Sequence, residues 1–170
     1  MDITAINIIK TTSVFIFLLL FGCAARTHWA FDQIHAEKKF CSTKLIYHSL
    51  DPVSGIDLEL LKTNEHLQLY LNIYSIPIPP YQGNQEQALI TIEHQGQKTQ
   101  SLVHRMRGGQ RFLLPQPIAT QIIESLKAGS PVTIRLASYR TVFQPEDFSN
   151  KFHKLLHPSV LKNPFHLPTT

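Results

Sequence analysis

Three groups of residues in this 170-residue chain have side chains suited to chemistry. The first is Arg105-Met106-Arg107-Gly108-Gly109-Gln110-Arg111, the only dense basic stretch. A guanidinium is a planar fork of N–H donors, so Arg105, Arg107 and Arg111 beside His104 suit a phosphate, a carboxylate or a peptidoglycan stem peptide. The two glycines make the stretch a loop, and the competing reading is a solvated loop with no ligand. The second group is nine histidines. His153 and His157 lie one helical turn apart, but zinc takes three or four such ligands and none follows at a matching step. A helix C-terminus also attracts histidines through its dipole, so no metal ion or other cofactor is expected there. His94 and His104 fall near opposite ends of one hairpin. The third group is Cys23 and Cys41. No Gly-x-Ser-x-Gly, His-Glu-x-x-His, phosphate-cradling loop or Cys-x-x-Cys accompanies any of them, so no catalytic residue is assigned.

Cys23 stands out by position. It ends the apolar run Val14-Phe15-Ile16-Phe17-Leu18-Leu19-Leu20-Phe21-Gly22, which follows Lys10 and precedes the small residues Ala24 and Ala25. A weakly positive start, a short apolar stretch and a small residue before a break read as a signal peptide over residues 1–22. The run is far shorter than the roughly 20 residues a spanning helix needs. Leu20-Phe21-Gly22-Cys23 resembles the lipobox of bacterial lipoproteins. That resemblance implies cleavage between Gly22 and Cys23, and a covalent lipid on Cys23 as the only attached group. A diacylglycerol thioether with a third acyl chain on the amine buries dozens of methylenes at ~0.8 kcal/mol each, enough for stable anchoring. It also implies a cell-envelope location. In a Gram-negative host Ala24, where an aspartate would favour inner-membrane retention, points to the outer membrane. With Cys23 acylated, Cys41 has no partner in its own chain and reads as a small buried hydrophobe beside Phe40, or as a thiol open to another chain.

The net charge is +4, which mildly favours lipid head groups or an anionic polymer; with a secretory signal present, nucleic acid is not expected as a partner. Residues 23–39 read as a lipidated tether. Trp29 within it suits either the head-group level, with Arg26 at lipid phosphate, or packing against the domain.

Residues 40–157 read as one β-rich domain and 158–170 as an extended tail. Phe40–His48 is a first strand, followed by the turn Asp51-Pro52-Val53-Ser54-Gly55. Ile56–Leu60 and Leu67–Ile73 alternate with period two, predicting a hairpin with Gln68, Tyr70 and Asn72 on its outer face. Ser75–Gly83 holds three prolines that lack ladder donors, so it is a polyproline-like loop presenting Tyr74 and Tyr81, either to a partner or merely as a rigid connection. Ala88–His94 and Lys98–His104 flank the turn Gln95-Gly96, which sets Glu93 against Lys98. Phe112-Leu113-Leu114 restarts a strand. Pro117–Ala128 is a helix striped by Ile118, Ala119, Ile122, Ile123 and Leu126 and stopped by Gly129. Pro131–Ala137 and Tyr139–Phe143 form another hairpin. Pro145-Glu146-Asp147 opens a second helix, with its acids in the first turn and Phe148, Phe152, Leu155 and Leu156 facing inward.

The fold expectation is therefore mainly β with two C-terminal helices: a single antiparallel β-sandwich-like domain. Residues 118–129, the strand Val132–Leu136 and the helix near Phe148–Leu156 are together similar to the end of small periplasmic β-sandwich proteins of the invasion-associated locus B type. This resemblance covers a quarter of the chain and implies no site residues. The expected function is a membrane-anchored envelope binding or assembly module, whose partners are lipid through the anchor and another envelope protein or anionic polymer. The alternatives are an envelope hydrolase or peptidoglycan-modifying enzyme, and a structural spacer.

Overall fold

The computed structural model describes residues 28–36, 40–63 and 66–158, without the side chains of 33–36, 40 and 41. The expected signal segment, Cys23, the Cys41 side chain and the expected tail beyond Pro158 lie outside the described residues. Among the described residues, nine strands and two helices follow one another: β1 (Trp29–Ala36), β2 (Phe40–Tyr47), β3 (Asp57–Lys62), β4 (Leu67–Asn72), β5 (Gln87–His94), β6 (Gln97–Arg105), β7 (Arg111–Leu113), α1 (Gln116–Lys127), β8 (Val132–Leu136), β9 (Tyr139–Phe143) and α2 (Phe148–Leu156). The strands form one antiparallel sheet in the order β1-β2-β3-β4-β7-β6-β5-β8-β9.

The sheet curls on itself. Its two ends share no ladder, yet Trp29 Nε1 donates to the Gln144 carbonyl at 2.9 Å and Tyr47 OH to the Val142 carbonyl at 3.2 Å. The Ile56 amide donates to Thr141 Oγ1 at 2.7 Å. β9 thus lies against β1–β3, and the result is the sandwich-like arrangement expected from the alternating strands. The concave side collects Leu45, Leu58, Leu60, Leu69, Leu71, Ile90, Ile92, Phe112, Ile134 and Phe143, all buried. Both helices close this core: α1 with Ala119, Ile122, Ile123 and Leu126, α2 with Phe148, Phe152 and Leu155.

The predicted hairpins form. β3 and β4 pair with Leu58 opposite Leu71 and Leu60 opposite Leu69. β5 and β6 pair with Glu93 opposite Lys98, and the two side chains meet at 3.4 Å. Gln95 and Gly96 both have positive φ, 49° and 77°, as a two-residue turn of the favoured hand requires. Asparagine tolerates that conformation better than glutamine. Gln95→Asn is therefore expected to raise stability by ~0.5 kcal/mol, read as a higher denaturant midpoint at unchanged slope.

Two expectations change. Trp29–Ala36 is the first strand of the sheet, paired along its length with β2, so the folded domain begins at Trp29 and not at Phe40. Trp29, 1% exposed, belongs to the core and not to a head-group layer. Second, Glu146 and Asp147 precede α2 and do not form its first turn; Asp147 takes a left-handed conformation (φ 63°) and the helix starts at Phe148. Phe148 packs at 4.8 Å on Trp29, so the chain turns sharply to seat that ring before it coils.

Candidate functional site

Because antiparallel strands alternate direction, four connections gather at one end of the sheet: β2–β3, β4–β5, β6–β7 and β8–β9. The chain also enters here, since the His48 amide donates to the His28 carbonyl at 3.0 Å. Asp57, 5% exposed, anchors the β2–β3 loop by accepting from the Ser49 amide at 2.8 Å and pairing with His48 Nδ1 at 2.8 Å. Burial together with the Asp57 charge raises the pKa of the Tyr74 phenol. Asp51 organises the tip, accepting from the Val53 and Ser54 amides at 2.8 and 2.9 Å and from the Ser54 hydroxyl. These bonds stabilise the ionised form and hold the Asp51 pKa below the usual carboxylate value.

The proline-rich loop is fixed from below. Arg105 Nε donates to the Ile78 carbonyl at 2.8 Å and its Nη1 to the Gln85 carbonyl at 3.1 Å. The Ile78 amide donates to the Gly109 carbonyl at 2.8 Å, Gln110 Nε2 to the Ser75 carbonyl at 2.7 Å, and Tyr139 OH to the Ile76 carbonyl at 2.8 Å. Gly109 (φ 68°) is required: a Cβ there would strike the Arg105 guanidinium and the Ile78 carbonyl. Two loops that look independent in the sequence, one rich in arginine and one in proline, are therefore a single unit.

That unit walls a groove of about 420 Å³ on the outer face of β5 and β8. Ile78, Pro79, Pro80 and Tyr81 form the wall; Leu89, Thr91 and Arg135 form the floor. Arg135 is held by Glu93 at 3.1 Å and stays half-exposed, so the floor offers its guanidinium and the Thr91 hydroxyl in a largely apolar trough. A smaller recess of about 310 Å³ lies at the seam between β9 and β2, lined among others by His28, Ser49, Asp51 and Arg140. His28 stacks on Tyr47 at 4.9 Å, Ser49 Oγ accepts from the Asp51 amide at 3.2 Å, and among the described residues no hydrogen bond joins His28 to Ser49.

The three arginines singled out from the sequence do not converge. Phe112 points into the core, so its neighbour Arg111 points outward, while Arg105, directly opposite Phe112, lies on the inner side. Arg105 is spent on the proline loop. Arg111 lies over the Tyr70 ring at 4.0 Å and grips Glu59 with both nitrogens, at 3.0 and 2.8 Å, and Asn72 Oδ1 at 3.1 Å. Arg107 is exposed at the loop tip, with no partner among the described residues. His94 and His104 sit at opposite ends of the β5–β6 hairpin, and His153 on α2 and His157 just past its end are exposed neighbours with ring centres 4.8 Å apart. Among the described residues no three His, Cys, Asp or Glu side chains gather in metal-binding geometry. Sequence reading missed Tyr139, Gln110 and Arg135. The only available signal, a tyrosine and an arginine in a short alternating hairpin, names no partner.

No protein-family model, curated protein or solved structure matches this chain.

Proposed function

We propose that the chain is a lipid-anchored protein of the bacterial cell envelope and that its β domain is a binding module, which holds an extended segment of another envelope protein in the groove beneath the proline loop. The lipobox-like Leu20-Phe21-Gly22-Cys23 supports the anchor, and Ala24 favours the outer membrane in a Gram-negative host. The observation that carries the binding reading is the wall itself. Ile78 to Tyr81 is clamped by Arg105 and by the Gly109 carbonyl, so the groove exists before any ligand arrives. A preformed site avoids the ordering cost that weakens binding by mobile loops. Pro79 and Pro80 give the wall no N–H donors, so it recognises by apolar contact, while Thr91 and Arg135 supply the polar points. The partner is thus an apolar stretch carrying a carboxylate or carbonyl to meet Arg135.

A photoreactive phenylalanine analogue at Thr91, compared with one at exposed Gln121 on α1, tests this in intact cells. Discrete adducts are expected from position 91 and not from 121, and Leu89→Arg, which fills the floor with a charge, should abolish them while leaving the melting temperature nearly unchanged. Equal labelling from both positions, or none from 91, would dispose of the groove as a binding site.

A further inference from the structure

The rim at which the loops gather exposes apolar side chains that the domain itself does not use. Leu50 and Val53 on the β2–β3 loop are 75% and 68% exposed, and Tyr74 and Ile76 on the β4–β5 loop are 66% and 75% exposed. They belong to one surface, because the β8–β9 hairpin ties both loops together: the Arg140 amide donates to the Ser54 carbonyl at 3.1 Å and Tyr139 OH to the Ile76 carbonyl at 2.8 Å. Solvated loop tips are ordinarily polar, and four large apolar groups on two tied loops mark an interaction surface. Cations surround them. Arg107 and Arg140 are exposed and free of ion-pair partners among the described residues. Of the three nearby acids, Asp57 is buried against His48 and Asp51 accepts from its own loop, which leaves Glu86 on the flank against two unpaired arginines.

The position of the chain entry decides between occupants. His28 sits at this same end, bonded to His48, and Cys23 stands five positions earlier. An extended chain of five residues reaches about 17 Å, less than the width of the domain. α2, by contrast, ends toward the far end of the sheet, where Thr43 Oγ1 donates to the Leu155 carbonyl and Lys62 Nζ to the Leu156 carbonyl. We propose that the rim docks on the surface of an anionic bilayer: Leu50, Val53, Tyr74 and Ile76 enter the head-group layer, and Arg107 and Arg140 meet lipid phosphates. This rests on the lipid anchor proposed above. It gives that anchor a defined orientation, with the groove on β5 and β8 held at the flank, open parallel to the membrane.

The test uses the native, membrane-extracted protein carrying Leu50→Trp or Ile76→Trp, reconstituted in phosphatidylglycerol–phosphatidylethanolamine vesicles with brominated acyl chains. Trp29 is buried and supplies a constant background; Gln121→Trp reports the side away from the rim. The rim tryptophans are expected to shift to the blue and to be quenched, and the Gln121→Trp signal to do neither. Each arginine near an anionic surface favours the docked orientation about fivefold, so Arg107→Glu with Arg140→Glu should lower the docked-to-free ratio more than about twentyfold. Vesicle flotation separates the two proposals. A protein that floats, carries diacylglycerol on Cys23 by intact mass and shows unquenched rim tryptophans overturns the docking alone. A protein that carries no lipid and does not float overturns the anchor, and the docking with it.

Discussion

Trp29→Ala is expected to cost about 3–5 kcal/mol of folding stability, the upper range for removal of one core side chain. The indole is the bolt between the two ends of the curled sheet. It meets Tyr47 edge-on at 5.0 Å and Phe148 at 4.8 Å, and its Nε1 donates to the Gln144 carbonyl just past β9. Alanine leaves a cavity lined by two rings together with an unpaired carbonyl, and no ladder hydrogen bonds join β1 to β9 to compensate. Trp29→Phe refills most of the volume but not the bond, so it should recover all but ~1–2 kcal/mol. Denaturant midpoints of the three proteins check the ordering. A loss under about 1 kcal/mol for Trp29→Ala would return this residue to a tether and the domain start to Phe40.

What could be read in the sequence, and what could not, follows from the range of each interaction. The β3–β4 alternation, the Gln95-Gly96 turn and the α1 stripe with its glycine stop are settled by neighbours a few residues away, and each forms as expected. The pairings that give the sheet its order are distant: β4 with β7 places Asn72 opposite Arg111, and β5 with β8 places Ile90 opposite Leu136. No local pattern encodes them. The arginine loop shows the consequence. Its three cations look like one cluster in sequence, yet the period-two pleat, once Phe112 is seated in the core, sends Arg111 and Arg105 to opposite faces. Trp29–Ala36 was obscured for a related reason: Asp32 and His35 interrupt its alternation, and its pairing with β2 carries it into the sheet. The rim and the groove were visible only as composition, a basic stretch and a proline stretch, until the Arg105–Ile78 and Gln110–Ser75 bonds joined them.

The outward face of β3, β4 and β7 carries the second large prediction. Burial alone pushes the Glu59 carboxyl up, but the hydrogen bond and charge of Arg111, with help from Asn72 and Lys44, more than offset it and hold the pKa below its ordinary 4.5. Arg111 is correspondingly raised, chiefly by its hydrogen bond to Glu59. Because the folded carboxyl titrates below the unfolded one, the pair contributes stability that is fully present above pH 4.5 and is lost as pH falls through the lower, folded value. Arg111→Met keeps much of the packing over Tyr70 but leaves the Glu59 carboxylate, 13% exposed, without its cation and with only the Asn72 amide donating to it. The expected loss at neutral pH is about 2 kcal/mol, below the figure for a fully buried pair because Arg111 itself is one-third exposed. With the arginine gone, the main influences lowering the Glu59 pKa are removed, so acidification costs the variant less than it costs the wild type. Denaturation of both proteins at neutral pH and near pH 4 should therefore show the gap narrowing on acidification. A gap independent of pH would mean that Arg111 acts through its contact with the Tyr70 ring, and that its charge contributes nothing to holding β7 against β4.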